Sequence, residues 1–232
     1  MKALIFAAGR GERMRPLTDT TPKPLLPVRG KPLIVWHLER LAAIGVREVV
    51  VNTSWLAECF EPALGDGARW GLRLHWSYEG PEPLETGGGM LAALPRLGEG
   101  PFLGLNGDVW CDADLAALPR DPPGLAHLLL VDNPGHHPGG DFVLGADGRV
   151  AAEGAPRLTF AGVGVYRAAL LDGWCSAVGD APGVALDPPR FKLAPVLRAA
   201  MARGLVTGQR HAGEWTDVGT IERLRQLGTY PA

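Results

Sequence analysis

A short apolar run, Ala3-Leu4-Ile5-Phe6-Ala7-Ala8, passes directly into Gly9-Arg10-Gly11-Glu12-Arg13-Met14-Arg15-Pro16-Leu17-Thr18, and Pro22-Lys23 follows. A glycine-rich turn after a buried strand brings bare backbone N–H groups close to a ligand. Arg10, Arg13 and Arg15, with Lys23 a few residues on, add clustered cations. Backbone donors plus guanidinium groups suit a polyphosphate, so the turn predicts a nucleoside triphosphate site. Two better-known glycine motifs do not fit. The dinucleotide fingerprint G-x-G-x-x-G meets Met14 at its third glycine, and the second strand ends in Asn52 where that motif wants an acid. The P-loop string G-x-x-x-x-G-K-[ST] does not occur.

The remainder of the first half alternates strand and helix patterns. Strands are expected at 3–8, 46–52, 72–78 and 102–105. Pro32 opens a helix whose apolar stripe is Leu33, Ile34, His37, Leu38, Leu41 and Ile44, and Gly45 stops it. His37 on that stripe reads as a packed core histidine. Further helices are expected around 56–64 and from after Gly87-Gly88-Gly89 to Leu97. Near-continuous apolar strands between helices predict an α/β fold, with a Rossmann-like, mostly parallel sheet covered by helices on both faces. Ligands in such sheets sit beyond the carboxyl ends of the strands. Three polar segments fall there: 9–15, 79–89 and 106–108. The second half is more strand-like, with strands expected at 125–131, 141–144, 149–152 and 158–166. Helices are expected near 168–171, 193–203 and 221–227, and residues 173–189 read as a loop insertion.

The full string Gly9-x-Gly11-Glu12-Arg13-Met14-x-Pro16-Leu17-Thr18, then Pro22-Lys23, resembles the signature of the sugar-1-phosphate nucleotidyltransferases. That resemblance implies the nucleotide-diphospho-sugar transferase fold. It makes residues 1–232 a single domain, with a nucleotide-binding half to about residue 112 and a sugar-phosphate half after about 113. It also implies a nucleoside triphosphate and a sugar 1-phosphate as substrates. Such a transfer needs little covalent help from the protein. A phosphate monoester has a second pKa of about 6 and attacks the α-phosphorus as a dianion. The protein holds two anions in line, neutralises the moving charge and binds Mg²⁺. Two carboxylates and several cations are therefore expected, and no Ser-His-Asp set.

The resemblance places these roles residue by residue. Asp108, after the fourth strand, and Asp217, in Trp215-Thr216-Asp217-Val218-Gly219-Thr220, match the Mg²⁺ ligands; read alone, each is also an ordinary turn or cap residue. Arg15 and Lys23 match catalytic cations on the triphosphate, with Arg13 as a further clamp. Ala8, Gly9, Gly11, Glu12, Arg13, Met14, Glu79, Glu85, Thr86, Gly87 and Asn106 match the nucleotide-binding segments, Gly87 letting backbone approach a flat base. Asn106, Gly140, Asp141, Glu153 and Gly162 match the sugar side. Many family members carry Glu-Lys-Pro there, and the lysine binds the sugar phosphate. Here the string is Glu153-Gly154-Ala155-Pro156. A dianion facing another anion still needs a cation. Lys192 is the expected replacement and Arg190 the alternative. His136 and His137, beside Asp141, read as solvated loop histidines.

The strings Glu85-Thr86-Gly87-Gly88-Gly89, Asn106-Gly107-Asp108-Val109-Trp110, Val131-Asp132-Asn133-Pro134-Gly135-His136-His137 and Phe191-Lys192-Leu193-Ala194-Pro195 look most like the N-acetylmuramic acid 1-phosphate uridylyltransferases of cell-wall recycling. Mannose-1-phosphate guanylyltransferases share the N-terminal half and are the runner-up, with glucose-1-phosphate uridylyl- or thymidylyltransferases behind them. A regulatory sugar-nucleotide-binding domain without turnover is a reading of another class. Retention of Arg15, Lys23, Asp108 and Asp217 argues against it. A net charge of −2 gives no electrostatic case for a nucleic-acid partner. No apolar run approaches the roughly 20 residues of a membrane span. The three cysteines are an odd, widely spaced set, which suits reduced thiols in the cytoplasm.

Overall fold

The computed structural model describes residues 1–228. The first half runs β1 (Lys2–Phe6), β2 (Pro27–Val28), β3 (Lys31–Pro32), α1 (Leu33–Ala43), β4 (Glu48–Thr53), α2 (Phe60–Leu64), β5 (Arg73–Tyr78), α3 (Glu85–Leu97), β6 (Phe102–Asn106) and β7 (Val109–Cys111). The second runs β8 (Ala126–Val131), β9 (Val143–Leu144), β10 (Val150–Ala151), β11 (Thr159–Tyr166), α4 (Trp174–Val178), α5 (Leu193–Ala202), β12 (Val206–His211), β13 (Trp215–Asp217) and α6 (Ile221–Gln226).

Seven strands form one sheet in the order β12-β8-β11-β6-β1-β4-β5. Every neighbouring pair is parallel except the two that involve β11. The α/β, mostly parallel architecture expected from the strand patterns is what the chain adopts. Side-chain alternation on β1 explains the layering. Ala3 and Ile5 pack on one face with Ile34, Leu38 and Leu41 of α1 and Phe60 and Leu64 of α2. Leu4 packs on the other with Met90 and Ala93 of α3 and Val196, Leu197 and Ala200 of α5. Each fully buried leucine or isoleucine contributes about 1.5–3 kcal/mol of transfer free energy. Six strands point the same way, so their carboxyl ends share one edge, and the site lies along it.

The structure corrects several element expectations. Pro32 stands at the cap position and α1 begins at Leu33; Gly45 ends the helix with φ +84. The triple glycine lies inside the first turns of α3, where it had been expected to precede the helix. Residues 168–171 form a 3₁₀ turn, and the 173–189 segment opens with α4. Strands β2, β3, β7, β12 and β13 had not been expected at all.

His37 is 2% exposed on α1. Burial, with Arg40 next, lowers its pKa to about 4, against smaller upward pulls from the Val109 backbone and Asp108. A histidine held neutral when folded but titrating near 6.5 when unfolded leaves stability intact above about pH 6.5. Stability then falls as pH drops through 6.5 toward 4. For this residue the loss between pH 7 and pH 5 is about 2 kcal/mol. Denaturant titrations of the wild type and His37→Phe at both pH values measure it. The wild type should lose that much more than the variant, and parallel losses would reject the assignment.

Candidate active site

A cleft of about 700 Å³ opens along the carboxyl edge of the sheet. Its centre is the loop after β1. Gly11 has φ +65, and a Cβ there would lie 2.8 Å from Thr18 Cγ2, so the position requires glycine. The Thr18 hydroxyl and the Met14 N–H both donate to the Gly11 carbonyl, at 2.8 Å each. Gly9 has open space where a Cβ would stand, which leaves its backbone accessible. Ala8, Gly9, Gly11, Glu12, Arg13 and Met14 all line the cleft. The Met14 side chain is fully buried beneath the loop, packed with Val28, Trp110, Val218 and Leu224. That small core ties the loop to the segment carrying Asp217.

Lys23 and Asp108 mark one end. Lys23 is 9% exposed, and its Nζ lies 2.6 Å from Asp108 Oδ2. The turn bearing Asp108 is fixed by backbone: the Gly107 N–H donates to Phe6 O and the Val218 N–H to Asp108 O, both at 2.8 Å. β13 pairs antiparallel with β7, with Asp217 opposite Val109. Asp108 sits in the turn that leads into β7, so the two carboxylates expected to share a metal come from neighbouring segments, although 109 positions apart in the chain. His136 Nε2 lies 2.9 Å from Asp217 Oδ1, and an Arg223 amino group lies 3.1 Å from its Oδ2. Gly219 lines the cleft beside Asp217, Arg13 and Arg223.

Glu79, Glu82, Pro83, Glu85 and Thr86 form the other end. Asn52 is the buried link between this end and the loop. Its Oδ1 accepts from the Ala7 N–H at 2.6 Å, and its Nδ2 donates to Glu79 Oε1 at 2.5 Å. Glu79 Oε2 accepts from the Leu84 N–H at 2.7 Å. Burial pushes the Glu79 carboxyl pKa up, and the Leu84 N–H and Asn52 hold it back. The glycine triplet makes this packing possible. A Cβ on Gly89 would lie 2.6 Å from Asn52 Nδ2, and one on Gly87 would lie 2.5 Å from the Phe191 ring. Arg10 pairs with Glu82 at the rim.

Several expected residues stand differently from their anticipated roles. Gly87 had been expected to offer backbone to a base, but its N–H donates to Phe191 O at 2.9 Å. The Thr86 hydroxyl accepts from the Leu193 N–H at 3.1 Å. Arg15 is not among the residues that line the cleft and pairs with Asp19 at 3.2 Å. Arg190 lines the cleft, whereas Lys192 is exposed at the cap position of α5. On the sugar side, Asn106 lines the cleft, and Gly162, with φ +73, packs against it at a bulge in β11. Asp141 Oδ2 accepts from the Phe160 N–H at 2.8 Å, and its Oδ1 lies 3.1 Å from His137. Gly140 takes φ +60 over Arg157. Glu153 is largely exposed and pairs with Arg157 at 3.3 Å. Sequence reasoning missed His136 and Arg223 as partners of Asp217, and Asn52 as the tie between loop and cleft. The Asn52 signal was its place at the carboxyl end of the second strand.

The cleft thus brings together a glycine–arginine loop and the Lys23–Asp108 ion pair, with Asp217 on the strand paired to β7. The nucleotidyl transferase family profile matches residues 2–121. The chain is 52% identical to the N-acetylmuramate alpha-1-phosphate uridylyltransferase of Neisseria meningitidis, covering 97% of this chain and 96% of that one. The protein of the same description from Caulobacter vibrioides is 37% identical, over 94% and 91%. A mannose-1-phosphate guanylyltransferase of Mycobacterium tuberculosis is 40% identical over 50% of this chain and 32% of its own. A crystallised Bacillus anthracis protein, assigned as a glucose-1-phosphate thymidylyltransferase and bound to sucrose, superposes with TM-score 0.80 at 20% identity. It covers 98% of this chain and 93% of its own, and shares the fold. The chain belongs to the nucleotidyl transferase family and is an enzyme of the sugar-1-phosphate nucleotidyltransferase class.

Proposed function

We propose that the enzyme transfers the uridylyl group of UTP to N-acetylmuramic acid 1-phosphate in an Mg²⁺-dependent reaction. The products are the UDP-sugar and pyrophosphate, and the role is recycling of cell-wall sugar in the cytoplasm. The likeness over nearly the whole chain to two relatives of that description carries the choice of substrates. The guanylyltransferase likeness covers only half of the chain.

The chemistry follows from the residues. A sugar phosphate oxygen forms a bond to the α-phosphorus while the α–β bridging P–O bond breaks, and pyrophosphate leaves with that oxygen. Lys23 and Arg13 face the departing pyrophosphate and take up its charge. Backbone N–H groups of the 9–13 loop hold the triphosphate in line. The donor set fits a hard cation: Asp108, in the turn before β7, and Asp217, on β13, would offer carboxylate oxygens, with substrate phosphate oxygens supplying the rest. Among the described residues no group of three or more His, Cys, Asp or Glu is arranged to hold a metal without such a contribution. Mg²⁺ held there supplies charge neutralisation and alignment of the phosphate oxygens. His136 and Arg223 orient Asp217.

A substrate matrix tests the proposal. Pyrophosphate release is measured with UTP, GTP, dTTP, CTP and ATP against N-acetylmuramic acid, mannose, glucose and N-acetylglucosamine 1-phosphates, with and without Mg²⁺. Release is expected to be fastest with UTP and N-acetylmuramic acid 1-phosphate and to depend on Mg²⁺. Preference for GTP with mannose 1-phosphate would replace the substrate pair, and silence with every pair would remove the function.

The sugar phosphate is assigned to Lys192, with Arg190 on the cleft wall as the competing cation. Lys192→Ala should raise KM for the sugar phosphate about tenfold and KM for the nucleotide by less than twofold, the loss of one charge-assisted contact. The same split from Arg190→Ala in place of Lys192→Ala would move the role to Arg190.

A further inference from the structure

We propose that Glu85 selects ribose over deoxyribose, its carboxylate accepting from the 2′-hydroxyl of the bound nucleoside triphosphate. This rests on nucleotidyl transfer from a nucleoside triphosphate and on no particular base.

Glu85 has φ +64, the left-handed region that favours glycine. Non-glycine residues there cluster at sites where surrounding structure overrides the strain. The other two such residues among those described, Arg29 and Leu56, do not line the cleft, and Glu85 does.

The conformation is imposed from both sides. Before Glu85, the Leu84 N–H is held by Glu79 Oε2, and the Leu84 carbonyl accepts from the Phe191 N–H at 3.1 Å. After it, the Thr86 hydroxyl accepts from the Leu193 N–H, and the Gly87 and Gly88 N–H groups both donate to Phe191 O at 2.9 and 3.1 Å. The backbone cannot relax around residue 85 without breaking that set. Glycine would satisfy the geometry without strain, so the side chain is what the position retains.

That side chain is exposed, and its carboxylate has no hydrogen-bond or ion-pair partner among the described residues, unlike its neighbours Glu79 and Glu82. A carboxylate only accepts hydrogen bonds and repels phosphate, so it does not serve the triphosphate. The phosphate cations Lys23 and Arg13 lie toward Asp108 and Gly219, whereas Glu85 lies in the 79–86 wall, which leaves it facing the nucleoside. The ribose hydroxyls are the donors that every ribonucleotide brings to that end. Carboxylates perform the same recognition in dinucleotide folds, here from a different element.

The experiment compares kcat/KM for UTP with dUTP, and for GTP with dGTP, in wild type, Glu85→Gly and Glu85→Gln, using saturating sugar phosphate and Mg²⁺. The wild type should prefer the ribonucleotide, and Glu85→Gly should reduce that preference about tenfold, the worth of one charge-assisted hydrogen bond. Glu85→Gln, which keeps an acceptor oxygen, should retain part of it. Thermal melting of Glu85→Gly should match or exceed the wild type, since the strain is relieved, which separates the role from a structural one. Equal losses with ribo- and deoxyribonucleotides, or an altered ratio of UTP to GTP at a constant ribo-to-deoxy ratio, would overturn the proposal. Should the wild type use GTP and not UTP, the GTP and dGTP arm tests it unchanged while the uridylyl assignment fails.

Discussion

Replacing Asp108 by asparagine should lower kcat/KM by about a thousandfold and leave the fold in place, the loss expected from the proposed role of Asp108 in holding the metal. Asp108 is tied to its neighbours through backbone, by Gly107 to Phe6 and by its own carbonyl to Val218, and asparagine preserves the shape of the turn. The side chain is 38% exposed toward the cleft, so the change buries no new group. Lys23 loses its ion-pair partner while 9% exposed, and that costs about 1–3 kcal/mol, a melting shift of about 2–12 °C in a chain of this size. Steady-state pyrophosphate release, circular dichroism and thermal melting test the three parts together. Raising Mg²⁺ should recover part of the lost rate. Activity within about threefold of wild type, outside the loss given by one charged contact, would remove Asp108 from the chemistry.

Lys23→Met should lower kcat about a hundredfold and raise KM for the nucleotide. The methionine keeps most of the buried stem while the charge is lost. In the proposed reaction the rate falls because the lysine charge would act most strongly on the leaving pyrophosphate. Since Lys23 and Asp108 touch at 2.6 Å, the two substitutions should combine to less than the product of their single effects. A double-mutant cycle measures the coupling. Strict multiplicativity would mean that the two residues act independently, against the contact.

Much of this architecture was legible in the sequence because local chemistry determined it. The β1 run, the glycine–arginine loop, the Pro32 start and Gly45 stop of α1, and the apolar β4 and β6 strands each carry their signal within a few residues. The edge strand β12 reads Val206-Thr207-Gly208-Gln209-Arg210-His211, too polar and glycine-broken to stand out, and it forms because β8 supplies a partner. β13 is three residues long and exists through pairing with β7. At the site, the motif resemblance pointed to Asp108 and Asp217, but nothing local showed His136 reaching Asp217 across 81 positions. Nor could spacing show that the Gly87 N–H is taken by Phe191, because that bond joins segments over 100 residues apart. The glycine triplet suggested a loop; its cause is the close packing of α3 on Phe191, Pro189 and Glu79.

In the proposed reaction one chain holds a triphosphate and a sugar phosphate so that the second attacks the α-phosphorus of the first. Reaction with UTP labelled at the α-phosphorus, N-acetylmuramic acid 1-phosphate and Mg²⁺ tests it directly, with products separated by charge. All converted label should migrate as the UDP-sugar, with one unlabelled pyrophosphate formed for each. Label released as UMP, or pyrophosphate formed without the sugar phosphate, would contradict the account.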